Sequence, residues 1–119
     1  MNFRATSWSY KIENGVAKLG FLGGNLSQRV LIRTDTNPRE KDASIEKKSI
    51  YIEIGNPVFG VYDAIEQIEI KGNTINIKLK SWAVDRIRIT GARITVKDGI
   101  DQIVEILRKE MRIENVKYV

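Results

Sequence analysis

The sequence predicts a mainly β, α+β domain: a curved antiparallel sheet or partly open barrel of seven to eight strands with one C-terminal amphipathic helix. Three observations predict it. Residues 64–78 and 83–97 are copies of one pattern, nineteen residues apart, with Ala64/Ala83, Ile68/Ile87, Ile70/Ile89, Gly72/Gly91, Ile75/Ile94 and Lys78/Lys97 identical. Each copy is apolar at every second position on both sides of a glycine-containing break, the period of half-buried strands joined by a hairpin. Residues 98–112 change to helical spacing, with Ile100, Ile103, Val104, Leu107 and Met111 on one stripe.

Upstream of the repeat the elements are short. Residues 3–12 alternate as a strand. Glu13-Asn14-Gly15 reads as a tight hairpin turn, because Asn-Gly supplies two positions of positive φ. Val16 to Leu22 returns. Gly20, Gly23 and Gly24 read as a turn or bulge: a phosphate cradle needs a helix start after it, and Ser27 to Arg33 reads as another strand. Residues 34–48 are polar, charged and hold Pro38, and read as a mobile surface loop. Ser49 to Ile54 is a strand ended by Gly55-Asn56-Pro57, and Val58 to Asp63 fits either a short strand or an extended lead.

The repeat itself predicts four antiparallel strands in a meander. Ile68, Ile70, Ile75, Ile77, Leu79, Ile87, Ile89, Ile94 and Val96 take one face. After it, Asp98 is placed to cap the helix, Arg108, Lys109 and Arg112 complement its C-terminal dipole, and residues 115–119 add an edge strand or fray.

At 119 residues the chain is read as a single domain, 1–119. No apolar run approaches twenty residues and the N-terminus lacks a signal-peptide core, so the expected location is the cytoplasm, away from membranes. There is no cysteine, which excludes disulfides and thiolate metal sites, and no histidine, which removes the commonest general base and zinc ligand. No cofactor is expected. The many isoleucines and charged residues suggest a thermophilic composition.

The functional signal lies on the wet face of the repeat. It carries seven cations against one carboxylate, Glu69, and residues 64–97 hold +4 of the chain's net +5. Rows of Lys and Arg separated by polar residues are what a phosphate backbone requires. Lys71, Lys78, Lys80, Arg86, Arg88, Arg93 and Lys97 are the expected nucleic-acid contacts, with Trp82 as a stacking platform for single strands. The plain alternative is an ordinary solvated face with Trp82 closing the core. A protein-interaction or self-assembly module, pairing through exposed edge strands into a homo-oligomer, is the second expectation. A third, Mg²⁺-dependent nuclease reading takes Glu69 and Lys71 with Glu53 or Asp63, although Glu-x-Lys recurs in any alternating strand as cross-strand charge pairing. The chain is not expected to be an enzyme.

Tyr62-Asp63-Ala64-Ile65-Glu66-Gln67-Ile68, Asp85-Arg86-Ile87-Arg88-Ile89 and Ile94-Thr95-Val96-Lys97-Asp98-Gly99 stand in the order that small bacterial and archaeal pleckstrin-homology-like domains follow. Residues 58–111, about half the chain, resemble that family at the level of pattern. The resemblance implies a curved sheet closed by one helix, and a binding module without catalysis. Members that bind inositol phosphates use a basic loop between the first two strands; here that loop is Glu13-Asn14-Gly15, which is not basic.

Overall fold

Ile68, Ile70, Ile75 and Ile77, the inward positions of the first repeat copy, are all buried. A computed structural model, which describes residues 1–36 and 48–119, places them on a hairpin of β7 (Ile65–Lys71) and β8 (Thr74–Leu79). The other described strands are β1 (Asn2–Arg4), β2 (Ser7–Glu13), β3 (Val16–Leu22), β4 (Arg29–Thr36), β5 (Lys48–Ile54), β6 (Val61–Tyr62), β9 (Gly91–Thr95) and β10 (Val116–Tyr118). The expected loop 34–48 lies mostly outside the described residues; Thr34–Thr36 and Lys48, at its ends, belong to β4 and β5.

Among the described residues the expected single curved sheet is two sheets of five strands, with no closed barrel. Sheet A runs β1-β9-β8-β7-β10 and sheet B runs β2-β3-β4-β5-β6. Sheet B is an antiparallel meander. Its first turn is the Asn14-Gly15 hairpin, with φ of 52° and 78°, as the sequence required. Sheet A is mixed: β7, β8 and β9 are antiparallel, while β1 joins β9 and β10 joins β7 in parallel. The segment read as one strand, 3–12, divides between the sheets. Ala5 still donates to the Thr95 carbonyl of sheet A, and Thr6 already donates to Leu22 of sheet B. Buried side chains of both sheets form one hydrophobic cluster.

The second repeat copy departs from the meander. Residues expected as its first strand form helix α1 (Ser81–Ile87), so the repeat holds three strands and a helix. The cause is visible in the parity. In an extended chain Ala83, Asp85, Ile87 and Ile89 share a face, which drives the Asp85 carboxylate into the core without a partner. As a helix the segment buries Ala83 and Ile87, four residues apart, and leaves Asp85 exposed. Arg88 ends it in the left-handed conformation, φ 61°.

The first copy meets the same problem at Glu66, which shares parity with Ala64 and Ile68. Here a β-bulge solves it. Ile65 pairs with Leu79 and Gln67 with Lys78, so Glu66 is the extra residue and turns outward.

The C-terminal helix α2 (Ile100–Glu105) continues as a π turn over Ile106–Glu110, and buries Ile103, Val104 and Leu107. It starts later than expected. Asp98 does not cap it: the Asp98 carbonyl accepts from Trp8 Nε1 at 3.3 Å, and Gly99, with φ 83°, is the cap residue without a side-chain bond. No helix among the described residues is long and apolar enough to cross a membrane.

Candidate polyanion-binding face

The outer face of sheet A is built from three register rows that cross its strands. The middle row is Asn2, Arg93, Asn76, Glu69 and Lys117. On one side of it lie Arg4, Thr95, Thr74 and Lys71; on the other lie Gly91, Lys78 and Gln67. Alternation places all of these opposite the buried Phe3, Ile94, Ile75, Ile77, Ile68, Ile70 and Val116. The floor is polar: Thr74 and Thr95 share a hydrogen bond of 3.3 Å, and Gln67 donates to Glu69 at 2.9 Å.

Two shallow concavities adjoin on this floor. One, of about 460 Å³, is lined by Asn2, Gln67, Glu69, Asn76, Lys78 and Arg93 among others. The other, of about 360 Å³, lies against Glu69, Lys71, Thr74, Asn76, Arg93 and Val119. Gly91 makes part of the first possible, since a side chain there has no room above the Ile77 carbonyl.

The eight residues expected to bind nucleic acid separate into three places. Lys71, Lys78 and Arg93 stand together on the outer face. Lys97 follows beyond the end of β9 and is exposed. Lys80, Trp82, Arg86 and Arg88 belong to α1 and its two caps, so the expected row of seven cations on one sheet does not exist. Trp82, 44% exposed, lines a separate groove of about 720 Å³ with Lys80, Asp63, Glu66, Arg112 and Glu114, where carboxylates outnumber cations.

Two cations on the outer face escaped the sequence reading. Arg4 and Lys117 are exposed at the strand positions opposite Phe3 and Val116. Alternation of Phe3 with Arg4 and of Val116 with Lys117 was the available signal, but only the parallel pairing of chain ends to the repeat brings them to this sheet. The bulge adds a second carboxylate: Glu66 Oε2 lies 3.3 Å from Lys78 Nζ. The face therefore holds five cations, Arg4, Lys71, Lys78, Arg93 and Lys117, against Glu66 and Glu69, among the described residues.

The acids of the nuclease reading do not meet. Glu53 lies on sheet B, where its carboxylate accepts from the Tyr51 hydroxyl at 2.6 Å and from Arg29 at 3.3 Å. Asp63 lines the Trp82 groove, away from the outer-face floor. No group of three or more candidate metal ligands occurs among the described residues.

The Glu53 cluster braces sheet B. The Arg33 guanidinium lies 4.2 Å from the Tyr51 ring centre, and the Tyr62 ring packs at 5.0 Å. Burial, then the hydrogen bond and charge of Glu53, push the Tyr51 phenol up to about 12 from 10.0, against partial relief from Arg33. A folded-state value above the unfolded one favours the protonated form. Its stabilising contribution is complete below pH 10 and declines as pH rises from there to about 12. A phenolate absorbance titration should therefore retain a late step near pH 12, and Tyr51→Phe should delete it. A Tyr51→Phe protein with an unchanged titration would show that another phenol carries the step.

No family model matches the chain. No curated protein and no solved structure matches it either.

Proposed function

We propose that the chain is a non-catalytic binding module whose sheet A outer face docks a polyanion, with single-stranded nucleic acid as the ligand of best fit. The observation that carries this reading is the arrangement of Arg4, Lys71, Lys78, Arg93 and Lys117 around a floor of amides and hydroxyls. Five strands at about 4.8 Å spacing make a patch about 19 Å across. Each cation stands at a different strand position, so a flexible phosphate chain can meet several at once, while amides and hydroxyls accept or donate to phosphate and sugar oxygens. No aromatic side chain stands on this face among the described residues, so recognition is of the backbone rather than of stacked bases.

The test is a titration of labelled single- and double-stranded oligonucleotides across salt. Four to five phosphate contacts on a single strand give a log–log slope of about −3. Absence of binding by the wild-type protein at low salt would end the reading.

Glu69 makes the same test sharper. Its carboxylate stands in the middle row and repels phosphate, so Glu69→Gln is expected to tighten oligonucleotide binding about threefold. Weaker binding, or loss of a Mg²⁺-stimulated cleavage, would instead make Glu69 part of a metal or catalytic site.

A further inference from the structure

The end of the molecule where β4 begins and β5 finishes presents an apolar groove between two turns. Its volume is about 920 Å³ and its walls include Met1, Leu22, Ile54, Phe59 and Ile89. Large apolar side chains stand exposed around it: Leu26 at 96%, Leu22 at 55%, Met1 at 41% and Phe59 at 37%, with Val58, beside Phe59, at 79%. Scattered exposed apolar residues are ordinary, but convergence of several on one groove marks an interaction surface.

The two turns are built to hold these side chains out. In the first, Gly23 N–H donates to the Gln28 carbonyl at 2.6 Å and Gly24 N–H to Gln28 Oε1 at 2.9 Å. Asn25 Oδ1 accepts from both the backbone and the hydroxyl of Ser27, at 3.1 and 2.6 Å. Leu26 sits at the tip of that network. In the second, Asn56 Oδ1 accepts from Val58 N–H at 3.0 Å and caps the single 3-10 turn Pro57–Phe59. Bonds of this kind remove the freedom to fold the tips back over the groove, so little ordering entropy remains to be lost on association.

We infer that this end is a two-fold self-association surface, in which Leu26 of each copy enters the groove of the other. A two-fold contact uses one patch on both partners, so that patch must carry both a projection and a recess. Here the projection, Leu26, and the recess beside it belong to the same groove. Charge agrees. Among the described residues no carboxylate lines the groove; its one cationic side chain, Arg29, is bridged to Glu53 at 3.3 Å, and the Met1 α-ammonium donates to the Gly91 carbonyl at 3.1 Å, so each charge at the contact keeps a polar partner within its own copy. The exposed apolar residues present at most about 600 Å² per copy, so a symmetric contact that covers them all buries at most about 1,200 Å², the lower bound of a specific interface. Met1 lines both this groove and the first concavity of the sheet A outer face, but Leu26 lines the groove alone, so self-association through Leu26 stands whether or not that face binds a polyanion.

Sedimentation velocity on the full chain, from about 1 to about 500 μM, tests it. The wild type is expected to pass from monomer to dimer, and Leu26→Asp, which places a carboxylate in the apolar groove, to weaken dimerisation about a hundredfold. Leu26 is almost wholly exposed, so the thermal melt of Leu26→Asp should match the wild type at concentrations where both are monomeric. Arg93→Glu, on the other surface, should leave the dimer intact. A wild-type protein that stays monomeric throughout overturns the proposal, as does a dimer indifferent to Leu26→Asp. A monomer that instead co-sediments with phosphatidylcholine vesicles in a Leu26-dependent way also overturns it, and reassigns the patch to a lipid surface.

Discussion

Gly91→Ala is expected to destabilise the fold by about 3 kcal/mol, and Gly72→Ala, at the matching repeat position, by only about 1 kcal/mol. The two glycines are identical letters in the duplicated pattern and do unrelated work. Gly72 forms the turn between β7 and β8 with φ 57°, and a Cβ there meets nothing within 4 Å. Its cost is conformational alone. Gly91 opens β9 opposite Lys78, and a Cβ there overlaps the carbonyl oxygen of Ile77, with the Ile77 carbonyl carbon and the Lys78 Cα also crowded. Those atoms are backbone in the central strand of sheet A, so no side-chain rotation relieves the overlap. β8 must move, and with it the registers of both neighbouring pairs. Urea unfolding of the two single variants checks this through the shift in midpoint at constant slope. Equal shifts would mean that β9 relaxes away from β8 at no cost.

That pair of glycines also shows where a sequence repeat stops being a structural one. The alternation of isoleucines was legible, because one-sided burial leaves a period of two that nothing else produces: Ile68, Ile70, Ile75, Ile77, Ile94 and Val96 are buried as read. Each copy also contains one acid at an inward position, Glu66 or Asp85, and that contradiction was present in the letters. An uninterrupted strand cannot bury a lone carboxylate, so the backbone had to break phase. Which break each copy takes is not local information. Glu66 has Lys78 on the neighbouring strand to receive it once the bulge turns it out. Asp85 follows Ser81-Trp82-Ala83-Val84, where Ala83 and Ile87 already lie four apart and make one apolar turn of helix.

The division into two sheets was legible only in part. The apolar positions of residues 2–13 change parity across Thr6-Ser7, from Phe3 and Ala5 to Trp8, Tyr10 and Ile12, and hydrogen bonding passes from Thr95 to Leu22 between Ala5 and Thr6; reading one strand over 3–12 passed over that slip. Parallel addition of β1 and β10 at the two edges depends on contacts ninety and about fifty residues distant, which no window of local pattern contains. The candidate site inherits this history. Three of its cations came from a correct parity, two came from chain ends, and four of the expected residues left with α1.

The sharpest consequence is a division among positive charges that the linear sequence treats alike. Reversing Lys71 and Arg93 together to Glu is expected to weaken oligonucleotide binding at low salt more than a hundredfold. Reversing Arg86 and Arg88 together should change it less than about threefold, a residual long-range effect that salt removes. Both double variants alter net charge by the same amount, four units, so a difference between them isolates position from overall attraction. All four side chains are exposed, and a thermal melt of each variant beside the wild type separates a loss of binding from a loss of folding, which matters most for Arg86 and Arg88 at the C-terminal end of α1. Lys71 and Arg93 share the floor of the same concavity, where one phosphate chain reaches both. Arg86 lies in the last turn of α1, and Arg88 is its left-handed cap. Losses of equal size from the two variants would mean that binding follows net charge, and the outer face of sheet A would then have no special claim. A loss confined to the Arg86/Arg88 variant would move the site to α1 and make the Trp82 groove beside it the place to look for the ligand.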